Sequence, residues 1–215
     1  MKNKLLSTAL GMMILLISSL NSISHAGIIA LESTRGVGNQ NYSGSLAMYF
    51  DVTSAINVTE LGAFDSGLDG FISNIQVGIF DRNTNLMVTE IATLLGTSNT
   101  LIGNSRFFDI TDVKLEIGNY AIVARGFGSD SNGNAGSFGP APIINDDSGV
   151  IQFIGGGYFG GSSITDFNLI PDSGPANRYD AGTFIYNRAM QVPEPSTLAI
   201  FALGVIGLAS RRFKK

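Results

Sequence analysis

The stretch that decides the fold of this chain reads Ile75-Gln76-Val77-Gly78-Ile79-Phe80. Every second residue in it is apolar and β-branched, which places those side chains on one face of an extended strand. Short apolar runs of this kind, separated by Gly, Ser, Asn and Asp, recur through residues 27–191. Many short strands bounded by turn residues are typical of sandwiches and barrels. We therefore expect an all-β fold, a single β-sandwich of jelly-roll-like type.

The same pattern places the individual strands. We predict nine of them, at residues 46–52, 56–64, 72–81, 86–95, 106–110, 113–117, 120–127, 150–158 and 183–187. Residues 81–85 form a polar loop that predicts a hairpin, and residues 117–120 form a tight turn that predicts a second one. The long polar segments 129–142 and 160–179 are expected to be surface loops.

The N-terminus carries a secretory signal. Two lysines precede an apolar run at residues 5–20, and a polar stretch then ends in Ser24-His25-Ala26. A basic start, an apolar middle and small residues at positions −3 and −1 are typical of a signal peptide. We expect residues 1–26 to be removed by signal peptidase during Sec export, with cleavage between Ala26 and Gly27. An uncleaved anchor helix is the alternative.

The C-terminus has the composition of a tail that inserts into the membrane. It runs from Pro193-Glu194-Pro195 through an apolar helix, residues 197–210, to a basic end that contains Arg211 and Arg212. The two prolines keep the motif extended. Twelve apolar residues rise only about 18 Å, but flanking residues that extend toward the interface bring a roughly 30 Å span within reach. The positive-inside bias leaves the basic end cytoplasmic and residues 27–191 exported.

The tail, residues 192–215, resembles the PEP-CTERM sorting signal of Gram-negative bacteria. The resemblance rests on three elements in the right order: Pro193-Glu194-Pro195, the short apolar helix and the arginine-rich end. It implies that an exosortase, a membrane-embedded transpeptidase-like enzyme, recognises the tail and cleaves near the motif while the precursor sits transiently in the inner membrane. It also implies a host that makes exopolysaccharide, and a mature protein at the cell surface or outside the cell. Residues 27–191 resemble no family with comparable specificity.

The composition of the exported part excludes several classes of function. Residues 27–192 hold seven Lys and Arg against sixteen Asp and Glu, a net charge near −9, so we expect no binding to nucleic acid. The chain has no Cys, and its single histidine, His25, lies in the predicted signal peptide. Ser-His-Asp catalysis, Cys-His catalysis and the usual zinc sites are therefore excluded from the mature domain. Carboxylate-pair hydrolysis and calcium binding stay open.

Two polar segments supply candidate metal ligands, because calcium prefers carboxylate and amide oxygens. The candidates are Asp130, Asn132 and Asn134 in one segment and Asp65 and Asp69 in the other. An EF-hand is excluded, since Ala135 and Ala141 stand where that motif needs Gly and Glu. Asp65 and Asp69 could also act as paired carboxylates. The alternative is a surface turn in both segments, with Asp69-Gly70 at the tip of a hairpin.

A glycine-rich segment, residues 155–161, surrounds Tyr158 and Phe159. No Lys-Ser or Lys-Thr pair follows it, so it does not have the sequence of a nucleotide-binding loop. A flexible loop here would present two aromatic rings, which can stack on sugar faces. Tyr158 and Phe159 are therefore candidate glycan contacts, with hydrophobic anchoring of the loop as the alternative.

The sequence as a whole favours a non-enzymatic exported protein of the cell surface or extracellular matrix, and the resemblance of the tail implies an association with exopolysaccharide. We expect no catalytic residues and no cofactor, with calcium left open. Two alternatives stand beside this interpretation. One is a carbohydrate- or calcium-binding module with a defined pocket, and the other is a carboxylate-based glycan hydrolase.

Overall fold

The computed structural model of the protein describes residues 27–136 and 139–189. The predicted signal peptide, the Pro193-Glu194-Pro195 motif, the apolar helix at residues 197–210 and the basic end all lie outside the described residues. Within the two described ranges, no helix is long and apolar enough to cross a membrane.

Short and medium β-strands make up the regular structure of the described chain. In chain order they are β1 (Ile28–Ile29), β2 (Leu31–Glu32), β3 (Ser45–Val52), β4 (Ile56–Phe64), β5 (Phe71–Asp81), β6 (Leu86–Met87), β7 (Ala92–Gly96), β8 (Thr100–Ile102), β9 (Ser105–Leu115), β10 (Gly118–Arg125), β11 (Gly133–Asn134), β12 (Ile143–Ile144), β13 (Ile151–Phe159), β14 (Ile170–Asp172), β15 (Tyr179–Asp180) and β16 (Gly182–Arg188).

Two sheets pack face to face and confirm the predicted all-β sandwich. The first sheet has the strand order β1-β16-β4-β9-β8, and the second has the order β14-β13-β3-β10-β5-β6 with β7 also paired to β5. Two small ladders, β11 with β15 and β12 with β2, lie beside them. All the pairings between these described strands are antiparallel.

The core between the sheets is built around aromatic rings. Phe50 of β3 is fully buried, and its ring centroid lies 5.0 Å from that of Phe184, 5.5 Å from Phe153 and 5.8 Å from Tyr120. These rings come from both sheets, so one residue of the second sheet ties the two layers together. Pairs at such distances contribute about 0.5–1.5 kcal/mol each beyond the area that they bury.

The outer face of the second sheet is apolar too. Ala47, Tyr49, Phe80, Ala121 and Val123 form a second buried cluster there. The segment after β13 covers this cluster through the side chains of Ile164, Phe167 and Leu169. The rings of Phe80 and Phe167 stack with centroids 4.7 Å apart. Part of the predicted surface loop 160–179 is therefore a cover for a sheet that buries both faces.

Most predicted strands occur close to their predicted positions, and residues 56–64 form β4 as predicted. Residues 86–95 divide into β6 and β7, whereas the strands predicted at residues 106–110 and 113–117 merge into one continuous strand, β9, which ends at Leu115. The predicted hairpin at residues 81–85 is confirmed, because Asp81 pairs with Leu86 across it. The polar segment 129–142 contains the short strand β11, which the hydrophobic pattern did not indicate.

The second predicted hairpin is wrong. β9 pairs with β4 in the first sheet, whereas β10 pairs with β3 and β5 in the second sheet. The turn between them therefore carries the chain across the sandwich instead of back along the same sheet. Leu115 and Tyr120 on either side of it are both buried in the shared core. A hairpin and a crossing between the sheets bury the same alternate side chains, so the local pattern could not distinguish the two arrangements.

The sandwich has two distinct ends. At one, which we call the exit end, Ile28 pairs with Tyr186, and the Ala189 N–H donates to the Ala55 carbonyl at 2.9 Å. The described domain thus begins and finishes at neighbouring positions. The other end, which we call the distal end, contains Tyr158 at the close of β13 and Gly182 at the start of β16. The seven residues of β16 separate the two ends by about 20 Å.

Two like charges face each other on the outer surface of the first sheet. Glu60 of β4 and Asp109 of β9 are direct cross-strand neighbours. Partial burial raises the pKa of Glu60, and the negative charge of Asp109 raises it further. The folded state therefore holds the Glu60 proton more tightly than the unfolded chain does.

A pH-dependent gain in stability is expected from Glu60→Gln. A raised folded-state pKa contributes stability that is present below the unfolded pKa, about 4.3, and is lost as the pH rises through the folded pKa. The neutral glutamine should therefore raise Tm at pH 7 by about 1–3 °C and leave it nearly unchanged at pH 3.5. Thermal denaturation at both pH values measures this. Asp109→Asn removes the same repulsion and should also raise Tm at pH 7. If neither variant raised Tm at pH 7, the result would contradict a destabilising repulsion between Glu60 and Asp109.

Candidate functional site

An open groove with a volume of about 520 Å³ lies at the distal end. It is formed where the chain before β3, the last residues of β13, the edge strand β14 and the chain that enters β15 meet. Its lining includes Gln40, Tyr42, Tyr158, Asp172, Arg178 and Tyr179. One wall is aromatic and the other is polar and charged.

Two tyrosines form the aromatic wall. The rings of Tyr42 and Tyr158 meet edge to face, with centroids 6.2 Å apart and an angle of 88° between the ring planes. Tyr158 keeps 37% of its surface exposed and faces the groove. Partial burial raises the pKa of Tyr42, and Tyr158 raises it further. The Tyr42 phenol is therefore protonated at neutral pH and can both donate and accept a hydrogen bond.

A fixed ion pair forms the polar wall. The Asp172 carboxylate accepts hydrogen bonds from Nη1 of Arg178 at 2.6 Å and from the hydroxyl of Tyr179 at 2.5 Å. The Arg178 Nε also donates to Oδ1 of Asn134 at 3.2 Å. Burial raises the pKa of Tyr179, and its hydrogen bond to Asp172 raises it further. The phenol therefore stays a donor to the carboxylate, and both members of the ion pair are held in place.

An amide network supports the floor of the groove. Gln40 donates through Nε2 to Oδ1 of Asn132 at 2.6 Å and accepts through Oε1 from Nδ2 of Asn134 at 3.0 Å. Asn132 is fully buried. The backbone N–H of Asn134 donates to Oδ1 of Asn39 at 2.7 Å. Hydrogen bonds that satisfy both ends of each amide fix the orientation of the groove wall.

The first candidate calcium segment divides between two places. Asp130 lies away from the groove, where its carboxylate accepts from the N–H groups of Ile72 and Ser73 on β5 at 3.0 and 3.1 Å. Asn132 and Asn134 belong to the amide network, and their side-chain oxygens accept protein hydrogen bonds. Calcium binding by these residues stays a prediction, and the ion would have to replace those bonds. Among the described residues, no three His, Cys, Asp or Glu side chains are grouped as metal ligands would be.

The second candidate segment holds a buried ion pair. Asp65 is almost fully buried and accepts from Nε of Arg106 at 2.6 Å and from the backbone N–H of Gly70 at 3.1 Å. Asp69 is exposed in the same connection. This connection leads from β4 in the first sheet to β5 in the second, so the hairpin considered for Asp69-Gly70 is wrong. Calcium binding by Asp65 and Asp69 and their action as paired carboxylates stay predictions, and either role would have to compete with the bond from Arg106 to Asp65.

The ion pair of Asp65 with Arg106 connects several loops. The guanidinium donates through Nη1 to the carbonyls of Thr97 and Asn99 and through Nη2 to that of Leu68, at 3.0–3.2 Å. The same pair therefore holds the β4–β5 connection and the loop before β8. Nothing in the local sequence around Asp65 indicates this partner, because Arg106 lies 41 positions away.

The glycine-rich segment is a strand and not a loop, which corrects the sequence-based expectation. Residues 155–159 belong to β13 and pair with β3 and β14. A Cβ at Gly157 would collide with the Tyr49 hydroxyl and lie 2.9 Å from the Ile170 carbonyl oxygen. A Cβ at Gly156 would lie 2.8 Å from the Ala47 carbonyl oxygen. The glycines therefore admit neighbouring groups to the strand backbone and do not supply flexibility.

Of the two candidate glycan contacts, one lies in the groove. Tyr158 lines it, whereas Phe159 is the next residue along the strand, faces the opposite side and is not part of the lining. Tyr42, Asp172 and Arg178 were not predicted from the sequence. The sequence offers a signal only for Arg178, which is an arginine next to a tyrosine within a long polar segment that carries few cations.

Comparison with known proteins identifies the tail and nothing else. Residues 191–215 match the model of the PEP-CTERM protein-sorting motif. This confirms the sorting signal that the sequence predicts at residues 192–215. No curated protein and no solved structure shows significant similarity to the chain.

Loss of the Asp65 charge should destabilise the domain strongly. Asp65→Asn leaves the buried Arg106 guanidinium without its counter-ion, which typically costs about 3–5 kcal/mol. Urea denaturation should show this loss in the free energy of unfolding. Glu116→Gln, which breaks the exposed pair with Lys114, is the matched control and should cost less than about 1 kcal/mol. Equal, small effects of the two substitutions would contradict the anchoring role of Asp65.

A single methyl group should disturb the glycine-rich strand. Gly157→Ala places a Cβ against Tyr49 and Ile170, and overpacking of this kind costs about 1–3 kcal/mol. Gly36→Ala is the control, because no atom lies within 4 Å of the added methyl group. It should be neutral or slightly stabilising. Urea denaturation compares the two, and a neutral Gly157→Ala would show that close packing does not require this glycine.

Proposed function

We propose that this protein is a non-enzymatic component of the cell surface or extracellular matrix, processed at its C-terminal motif and associated with exopolysaccharide. The PEP-CTERM motif at residues 191–215 implies an exported protein that an exosortase processes at the membrane. Final location, cleavage and polysaccharide association go beyond what that motif implies.

One observation carries the proposal: the groove and the origin of the tail lie at opposite ends of the sandwich. The described domain finishes at Ala189 on the exit end, two residues before the matched motif begins. Tyr158 and the rest of the groove lie at the distal end, about 20 Å away along β16. A domain delivered by its tail therefore presents the groove away from the membrane, toward the matrix.

The chemistry of the groove favours binding over hydrolysis. Glycosidases use a pair of carboxyl groups roughly 5–10 Å apart. Of the described residues that line the groove, Asp172 is the single carboxylate, and Arg178 and Tyr179 both bond to it. A defined binding module is consequently the second candidate function, favoured by the presence of the groove itself, and the hydrolase is the weaker alternative.

Replacing Pro193-Glu194-Pro195 by three alanines should abolish processing. The apolar tail can still insert, but the extended recognition peptide is gone, so we expect an uncleaved protein in the membrane fraction. Intact-mass and terminal-peptide mass spectrometry of host cell fractions measures this. The wild type should begin at Gly27, end within residues 192–195 and occur outside the cytoplasm, whereas the variant should retain Lys215.

A proline substitution in the exported domain controls for this change. Pro140→Ala alters an exposed proline far from the tail along the chain and should leave both termini as in the wild type. Wild-type processing of the triple-alanine variant would contradict the role of the motif. A wild-type protein that retains Lys215 would make the tail a plain anchor.

A further inference from the structure

The groove offers one exposed and rigidly held aromatic ring. Tyr158 lies in β13 between Leu46 of β3 and Ile170 of β14, and Tyr42 packs edge-on against its ring. Strand pairing on both sides fixes the backbone, so little conformational freedom is lost when a ligand covers the ring. A tyrosine ring combines a large apolar face with a polar hydroxyl. That combination suits a ligand that has an apolar face and a polar rim.

The opposite wall offers a donor and an acceptor at fixed positions. The described residues use two of the five N–H groups of Arg178, which bond to Asn134 and Asp172. The remaining N–H groups can donate. The Asp172 carboxylate accepts from Arg178, Tyr179 and the Gly174 N–H, which leaves one of its four lone-pair sites for a ligand. A hydroxyl group both donates and accepts. Neighbouring hydroxyls on a sugar ring therefore match a carboxylate beside a guanidinium.

The charge balance disfavours an anionic ligand. Asp172 and Arg178 cancel each other within the groove, while residues 27–192 carry a net charge near −9. An acidic polymer would meet this field within the Debye length, about 8–10 Å at moderate ionic strength. A neutral polymer meets no such repulsion.

The edge strand beside the groove disfavours a peptide. Extended peptides commonly bind by adding a strand to an exposed sheet edge. β14 is the edge of the second sheet here, and its central residue, Pro171, has no backbone N–H to donate. Proline on an edge strand blocks this type of pairing. The groove therefore suits a ligand that binds through rings and hydroxyls and not through a peptide backbone.

From these observations we infer that the distal groove binds a segment of neutral polysaccharide. One sugar face lies on Tyr158, and neighbouring hydroxyls bond to the Asp172–Arg178 pair. Tyr42 and Gln40 hold the two walls in place. The inference rests on the proposed function and names the ligand class of its groove.

The test uses the mature protein from its host and matrix polysaccharide from the same host, separated by anion exchange into neutral and acidic fractions. Affinity gel electrophoresis and calorimetry measure binding. The neutral fraction should retard the wild type, and Tyr158→Ala should weaken that binding about tenfold. Tyr158→Phe keeps the ring and should lose less than about threefold. Ile154→Ala, an exposed residue of the same strand outside the groove lining, should bind as the wild type does.

Several results would overturn the inference. These are no retardation of the wild type by the neutral fraction, retardation by the acidic fraction alone, or full binding by a Tyr158→Ala variant whose Tm matches the wild type. Should Tyr158→Ala lower Tm, Asp172→Asn decides instead, and unchanged binding of that variant would overturn the inference.

Localisation in the same cultures separates this inference from the proposed function. An exported and trimmed wild type that does not bind the neutral fraction overturns the inference but leaves export and processing in place. A wild type retained in the cytoplasm overturns the proposed function itself.

Discussion

The need to bury both faces of the second sheet shapes the rest of this domain. One face packs on the first sheet around Phe50, and the other lies under the segment after β13, where Phe167 stacks on Phe80. The chain has no cysteine, so packing takes the place that disulfides fill in many secreted domains. The covering segment continues directly into β14 and so brings Asp172 to the distal end. The groove wall is thus a consequence of how the sheet is covered.

Most arginines of the domain bond to segments of chain that strand pairing does not fix. The Lys and Arg residues of the described domain all engage an acid, a carbonyl or a ring, and four of the arginines act at the distal end: Arg35, Arg106, Arg125 and Arg178. Loops lack ladder hydrogen bonds, so a planar guanidinium with five donors can replace them at several points together. Because these cations bond to groups of the same domain, the excess acids set its net charge. The groove therefore contains an ion pair without net charge, Asp172 with Arg178, although the domain as a whole is acidic.

The sequence predicted the strands well and their partners poorly, for a physical reason. A period of two reports which residues face a core, and Ile75, Val77 and Ile79 are indeed fully buried. It does not report which sheet supplies the core, so the crossing between β9 and β10 looked like a hairpin. The glycines of β13 read as a loop because the rings and carbonyls that approach them come from distant residues. The ion pair of Asp65 was not predicted for the same reason, since its partner Arg106 is remote in sequence.

The tail was the most predictable part because its information is local, whereas the groove depends on contacts between remote segments. Tyr42, Tyr158 and Asp172 meet only after three separate stretches of chain have folded. The two parts are nevertheless coupled by geometry. From Ala189 to the predicted start of the apolar helix at Thr197 the chain can extend at most about 28 Å. In the proposed topology the exit end therefore stays close to the membrane before cleavage, and the distal groove is the part of the domain held farthest from it.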